Sequence, residues 1–211
     1  MALLMPRASR TNVVLIAYVV LTWFMLALSG SILGTFVQKQ GNPPLVFGLT
    51  VGGPVILFVA AYLLSGAFRR FVRTLIGDPW GITTLQAYRV IGVVFVVLAS
   101  RNVLPAVFAL PAGWGDIFIG VTAPLVALAW SSGTRIGKAV FVLWNVLGML
   151  DLILAVSLGT LAGFIQPGAI TTASLLIFPL SLIPTFAVPL SFILHFAGLG
   201  QFWHLARKQA A

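Results

Sequence analysis

The chain has 211 residues, of which 60% are hydrophobic and only 7% are charged, and its mean hydropathy is +1.12. Because ordinary soluble domains carry roughly 25% charged residues, this composition excludes a water-soluble globular protein. The formal charge of +9 is spread singly or in short groups between apolar runs, a pattern of membrane topology rather than of nucleic-acid binding. The sequence contains no cysteine, which excludes disulfides, thiolate zinc sites and iron–sulfur clusters.

Six apolar windows each reach the ~20 residues that cross a hydrocarbon core of ~30 Å. Helices are predicted because backbone groups in lipid must be satisfied within their own segment, and the windows lack barrel-type alternation. The chain is therefore expected to be one all-α polytopic membrane domain, residues 1–211. A cleaved signal peptide is disfavoured, since the first apolar run exceeds the usual ~7–15-residue signal core. The expected spans are about 13–36, 44–66, 84–105, 113–131, 137–161 and 173–198.

Arginine and lysine residues fall on alternate connections between these spans. The opposite connections contain only Lys39. Because basic residues are enriched in cytoplasmic loops, the alternation predicts that both termini are cytoplasmic. Such a chain is expected in the cytoplasmic (inner) membrane of a prokaryote. The residues on the predicted cytoplasmic side are Arg7, Arg10, Arg69, Arg70, Arg73, Arg135, Lys138, Arg207 and Lys208.

The segment after the second span has the pattern of a short interfacial helix, residues about 67–76. Apolar residues recur there at helical spacing, and Arg69, Arg70 and Arg73 lie on the other side. We expect this helix to lie in the cytoplasmic interface with its arginines among anionic lipid headgroups. The apolar face comprises Phe68, Phe71, Val72, Leu75 and Ile76.

Asp151 is the only carboxylate near the middle of a predicted span, and such a group is by default a candidate functional residue. Helical rise places it ~20 Å above the cytoplasmic side and Arg101 ~25 Å above it. Asp116 lies near the outer start of the fourth predicted span. The sequence thus predicts an outer cluster of Arg101, Asp116 and Asp151. The alternative is a purely structural ion pair that joins three helices.

A second polar set is predicted closer to the cytoplasm and comprises Gln86, Tyr88, Arg89, Asn145 and His195. His195 lies among apolar neighbours and could relay protons or ligate a metal or haem; the alternative is a neutral, hydrogen-bonded core histidine. The expected depth separates His195 from Asp151 and argues against a metal site that combines it with the two acids. His204 would point away from His195, which disfavours bis-histidine haem. No metal or cofactor is therefore predicted.

Prolines accumulate in the even-numbered spans, and the last span carries three at five-residue steps. Because each proline removes a backbone hydrogen bond, the sixth helix is expected to be bent or locally unwound. Thr185 or a bound solute could then satisfy the freed carbonyl oxygens. The predicted kink residues are Pro54, Pro124, Pro179, Pro184 and Pro189.

The function that these features favour is a small secondary transporter or channel-like protein, with Asp151 as the coupling or substrate-contacting acid. No nucleophile motif, phosphate loop or metalloprotease signature occurs, so an enzyme is not favoured. One alternative is a non-catalytic subunit or scaffold in a homo-oligomer or larger membrane complex. Another is a haem- or quinone-binding redox protein that uses His195. The expected partner is the lipid bilayer, and no nucleic acid is expected.

Overall fold

The computed structural model describes residues 10–37, 45–165 and 170–210, and these residues form helices and no strand. The predicted all-α class is confirmed. Arg7 and Lys39, which enter the orientation prediction, lie outside the described residues.

Eight α-helices account for most of the described chain, and two of them are joined without a break. A 3₁₀ segment, Gln86–Gly92, connects α4 to α5, so residues 80–100 form one continuous helical rod. The helices are α1 Arg10–Ile32, α2 Leu45–Leu64, α3 Gly66–Ile76, α4 Trp80–Leu85, α5 Val93–Ser100, α6 Ala106–Ser131, α7 Arg135–Ile165 and α8 Val188–Ala210.

Five helical stretches in the described residues are long and apolar enough to cross a membrane, or six if α2 and α3 count as one bent span. The boundaries of three of these stretches differ from the predicted ones by four to ten residues. The third stretch is Trp80–Ser100 rather than 84–105, and the fourth is Ala106–Ser131 rather than 113–131. The last is Ile183–Lys208 rather than 173–198. These shifts change the expected depths of Arg89, Arg101 and His195, whereas the stretch that carries Asp151, Arg135–Ala162, lies close to the predicted 137–161.

The short helix α3 leaves α2 at an angle of 107° because Ser65 interrupts the chain between them. The Ser65 hydroxyl accepts a hydrogen bond from the Phe68 backbone nitrogen at 3.2 Å and so caps α3. The apolar side of α3 packs through buried Val72 onto Tyr62 and Ala197. Of its arginines, Arg73 turns towards the bundle and donates to the Tyr62 hydroxyl at 3.3 Å.

The segment before α8 is irregular, as its proline content would require. A 3₁₀ turn, Thr172–Leu176, is followed by a turn that contains Pro179 and then by a π-helix, Ile183–Ala187, with Pro184 in its first turn. Pro189 is the second residue of α8, where the helix changes from π to α geometry. Pro54 and Pro124 lie inside α2 and α6.

Helix α6 lies at the centre of the packing. Its residues take part in two buried apolar clusters, one around Phe108 and Phe95 and the other around Ile119 and Phe141. Small residues line its buried side and allow neighbouring backbones to approach closely. Helix α1, by contrast, buries only Ala27 and Ser31. The polar residues in the middle of the chain are therefore positioned by α6 and its neighbours rather than by α1.

Gly120 sets the distance between α6 and the 3₁₀ segment. A Cβ atom at this position would lie 2.5 Å from the Val90 backbone nitrogen and 3.0 Å from the Arg89 carbonyl carbon. Real Cβ atoms do not approach backbone so closely, so only glycine allows the 3₁₀ segment to lie against α6 at this point.

We expect Gly120→Ala to destabilise the fold by about 1–3 kcal/mol, because backbone must move to make room for one methyl group. The measurement is thermal unfolding of the purified protein in detergent. Gly53→Ala is the matched control, since no side chain and no other segment among the described residues lies within 4 Å of the added Cβ and alanine is the better helix former. Equal unfolding temperatures for the two variants would contradict this account of the α6 contact.

Candidate functional site

The side chain of Arg89 lies at the centre of the bundle and is only 2% exposed. Its Nε donates a hydrogen bond to Asp116 Oδ1 at 2.6 Å. Its Nη2 donates to Asp151 Oδ2 and forms a second ion pair. One guanidinium from the 3₁₀ segment is thus held between a carboxylate on α6 and a carboxylate on α7.

A histidine and an asparagine extend this network. Arg89 Nη1 lies 3.1 Å from His195 Nε2, and because an arginine nitrogen can only donate, Nε2 must be the acceptor. His195 Nδ1 lies 3.0 Å from Asn145 Oδ1, and the Asn145 amide nitrogen donates to the Phe141 carbonyl oxygen at 2.8 Å. The asparagine oxygen therefore accepts from Nδ1–H. These contacts assign His195 as the neutral imidazole with its proton on Nδ1.

We refer to Arg89, Asp116, Asp151, His195 and Asn145 as the Arg89 cluster. With a neutral imidazole, its formal charges are two carboxylates and one guanidinium. The cluster therefore has one more negative than positive charge when both acids are ionised. Burial of an uncompensated charge is unfavourable, so the cluster has a physical reason to take up a proton or another cation.

Three glycines make room for the side chains of the cluster. A Cβ at Gly115 would overlap Asp151 Oδ1, and a Cβ at Gly148 would overlap the imidazole of His195. A Cβ at Gly92 would overlap the side chain of Asp116. The helices can therefore approach until the charged groups meet, which a larger residue at any of these positions would prevent.

The predicted pairing of Arg101 with the two acids is wrong. Arg101 is exposed and lies just beyond the end of α5 at Ser100. The prediction placed the third span at 84–105 and so put Arg101 inside it, with Arg89 near the cytoplasmic edge. The helix begins earlier because the Asp78 carboxylate accepts a hydrogen bond from the Trp80 nitrogen at 2.8 Å. Asp78 followed by Pro79 is a helix-start signal that could have corrected the boundary.

The predicted separation of His195 from the two acids is also wrong. The sixth span was expected to end near residue 198, which placed His195 one turn from the cytoplasmic surface. Helix α8 instead continues to Ala210, so His195 lies thirteen residues before Lys208, ~20 Å by helical rise. Asp151 lies sixteen residues into α7, ~24 Å by the same rule. The two side chains therefore lie at a similar depth, and Arg89 links them.

The remaining predicted site residues fall into two groups. Asn145 belongs to the Arg89 cluster. Thr185 is fully buried in the π-helix, where its hydroxyl donates to the Ser181 carbonyl oxygen at 2.6 Å, and no described contact joins it to the cluster. Ser181 also forms a short hydroxyl–hydroxyl contact with Ser31 of α1. The described residues contain no group of three or more His, Asp or Glu that could hold a metal ion.

Two other residues of the 3₁₀ segment, Tyr88 and Gln86, form hydrogen bonds to the π-helix and to α8. The Tyr88 hydroxyl donates to the Ala187 carbonyl oxygen at 2.8 Å and contacts the Ser191 hydroxyl. The Gln86 amide nitrogen donates to the Ser191 carbonyl oxygen at 3.0 Å, while Gln86 Oε1 is buried with no hydrogen-bond partner among the described residues. Movement of this segment would therefore change contacts on α6, α7 and α8 together.

A cavity of about 110 Å³ lies beside the Arg89 cluster, with walls from α2, α5, α6 and α7 and from the irregular segment before α8. Its described lining is apolar except for Asp116 and two threonines. The side chain of Asp116 is 17% exposed. The same carboxylate thus pairs with Arg89 and borders the cavity.

We expect Arg89→Gln to destabilise the protein by about 3–5 kcal/mol, because two buried carboxylates lose their counter-ion. Arg101→Gln is the matched control and should unfold within about 0.5 kcal/mol of the wild type, as surface substitutions do. The measurement is thermal or denaturant unfolding in detergent.

The double variant Arg89→Gln/Asp151→Asn tests the cause of that loss. Removal of one carboxylate also removes one uncompensated charge, so the double variant should be more stable than Arg89→Gln alone. A double variant that is less stable by the sum of both single changes would show that charge compensation is not what Arg89 supplies.

The model of the family described as Domain of unknown function (DUF8737) matches residues 44–203, about three quarters of the chain. The matched region contains every residue of the Arg89 cluster and every described wall of the cavity, and it begins after α1. Neither a curated protein nor a solved structure matches the chain.

Proposed function

The chain belongs to the DUF8737 family, and we propose that it is a small secondary transporter whose Arg89 cluster takes up a proton or a cationic solute within the bilayer. The observation that carries this proposal is the pairing of two carboxylates with one buried guanidinium. When both acids are ionised, one negative charge at the centre of the bundle has no counter-charge, which favours the binding of one positive charge. A proton or a small cation can bind there reversibly.

The geometry supports an exchange between two states of the cluster. Arg89 bonds Asp116 through Nε and Asp151 through Nη2, so it keeps one ion pair when the other carboxylate is neutralised. Asp116 borders the cavity, whereas Asp151 contacts the backbone region of Gly115. In the proposed cycle, a cation at Asp116 and a proton at Asp151 compete for the same surplus negative charge, which couples their binding.

The 3₁₀ segment is the element that such an exchange would move. A stretch of 3₁₀ geometry inside a longer helix often marks a hinge. The segment Gln86–Gly92 carries Arg89. It donates hydrogen bonds to the π-helix through Tyr88 and to α8 through Gln86. A change in the ion pairs of Arg89 would thus reach the π-helix and the start of α8, where the backbone is already irregular.

The proposal includes a topology with both termini in the cytoplasm of a prokaryotic cell. It is supported by Arg135 and Lys138 at one end of α7 and by Arg207 and Lys208 at the end of α8, since basic residues favour the cytoplasmic side. The arginines of α3 fall on that same side in the six-span count. Anionic headgroups of the inner leaflet would then be the partners of Arg69 and Arg70.

The test is the current that follows a rapid pH jump or a jump in Na⁺ or K⁺ on proteoliposomes adsorbed to a solid-supported membrane. The wild type is expected to give a transient current, because a charge enters a site inside the bilayer. Asp151→Asn should reduce this current at least about tenfold, since the neutral amide removes the surplus charge.

Asp78→Asn is the matched control, because Asp78 is the one acidic residue of the sequence outside the Arg89 cluster. It accepts hydrogen bonds from Trp80 and Trp130 instead. The variant should retain the wild-type current. Equal currents from the wild type and Asp151→Asn would remove the coupling role. Loss of detergent stability in Asp151→Asn with no wild-type current would favour the structural scaffold over the transporter.

A further inference from the structure

We infer that the cavity beside Asp116 binds organic ammonium compounds with an apolar body, so that the ammonium group lies at Asp116 and the body fills the cavity. This inference rests on the proposed function, for which it names the substrate class. It is carried by the chemistry of the cavity walls, by the free oxygen of Asp116 and by the charge of the Arg89 cluster.

The walls of the cavity suit an apolar body. Phe95 and Phe108 pack edge to face across a 5.4 Å centroid separation and contribute to the lining. Aliphatic residues such as Leu152, Ala155 and Ile183 complete it. A volume of about 110 Å³ holds a group close to the size of one benzene ring, which an apolar cavity of about 150 Å³ is known to bind. A sugar or an amino-acid zwitterion would leave its polar groups unpaired on these walls.

The hydroxyl protons of the two lining threonines are already donated within the protein. Thr172 donates to the Gly159 carbonyl oxygen at 3.1 Å. Thr160 donates to the Val156 and Ser157 carbonyl oxygens at 3.1 and 2.8 Å. The threonines therefore offer a ligand no free O–H donor, and Asp116 is the one charged residue of the described lining.

One carboxylate oxygen of Asp116 can still accept a hydrogen bond. Its Oδ1 accepts the hydrogen bond from Arg89 Nε, and no described residue donates to its Oδ2. An ionised carboxylate accepts hydrogen bonds and cannot donate them. A group that binds Oδ2 must therefore be a hydrogen-bond donor. Because the cluster carries one surplus negative charge when both acids are ionised, a cationic donor is favoured over a neutral one, and an anion is repelled.

The experiment compares three ligands of nearly equal shape and different charge at neutral pH. Benzylamine is cationic, benzyl alcohol is neutral and benzoate is anionic. Binding to the full-length wild-type protein is measured by equilibrium dialysis of the radiolabelled compounds in maltoside micelles, which contain no ammonium group. Competition by an ethanolamine phospholipid in a separate arm distinguishes a lipid headgroup from a free amine as the natural source of the ammonium.

Benzylamine is expected to bind about ten to a hundred times more tightly than benzyl alcohol, the range of a charge-assisted hydrogen bond, and benzoate is expected not to bind. Asp116→Asn should weaken benzylamine to the level of benzyl alcohol, while Asp78→Asn leaves both affinities unchanged. The wild-type series keeps the test valid if Asp116→Asn fails to fold. Equal binding of benzylamine, benzyl alcohol and benzoate by the wild type would overturn the assignment, and so would unchanged benzylamine affinity in a folded Asp116→Asn.

The binding experiment and the current experiment can fail independently, so failure of the ammonium inference can be told apart from failure of the transport proposal. Benzylamine binding without currents in the ion-jump experiment would support an ammonium-binding protein that does not transport. Currents that depend on Asp151 with no preference for benzylamine would support the transporter and overturn the substrate class.

Discussion

The buried guanidinium of Arg89 is the constraint on which the rest of the bundle depends. An isolated charge in an apolar interior is strongly unfavourable unless it is paired and its hydrogen-bonding groups are satisfied. Arg89 meets this requirement with acceptors from three helices: Asp116 on α6, Asp151 on α7 and His195 on α8. A single side chain therefore determines how these helices must be arranged around the 3₁₀ segment.

Close approach of the helices is what allows one side chain to reach all three acceptors. Glycine at positions 92, 115 and 148 leaves the volume that Asp116, Asp151 and His195 occupy, and Gly120 lets the Arg89 backbone lie against α6. Since helices in lipid gain little from the hydrophobic effect between them, small residues and polar contacts are their main sources of association. The glycines therefore allow the close helix contacts that the charged side chains need in order to pair.

Asp116 connects the packing of the bundle to its proposed chemistry. It belongs to the ion pair that organises α6 and the 3₁₀ segment, and it is also the charged group of an otherwise apolar cavity. Binding at the cavity would alter the balance of charge around Arg89, and protonation of Asp151 would alter it from the other side. This shared charge is why the transport proposal and the ammonium inference concern the same site and can nevertheless fail independently.

The sequence by itself determined the all-α class, the apolar stretches and the place of Asp151 inside one of them, because hydropathy over ~20 residues is a local property. It also indicated that Asp116 would join Asp151, and that the proline-rich segment before α8 could not be regular. Only the tertiary structure decided that Arg89 rather than Arg101 pairs with the acids, and that His195 shares their site. The reason is geometric: helix ends shifted by four to ten residues change depth by ~6–15 Å at 1.5 Å per residue, which exceeds the reach of a side chain, and capping at Asp78 and the extension of α8 set those ends.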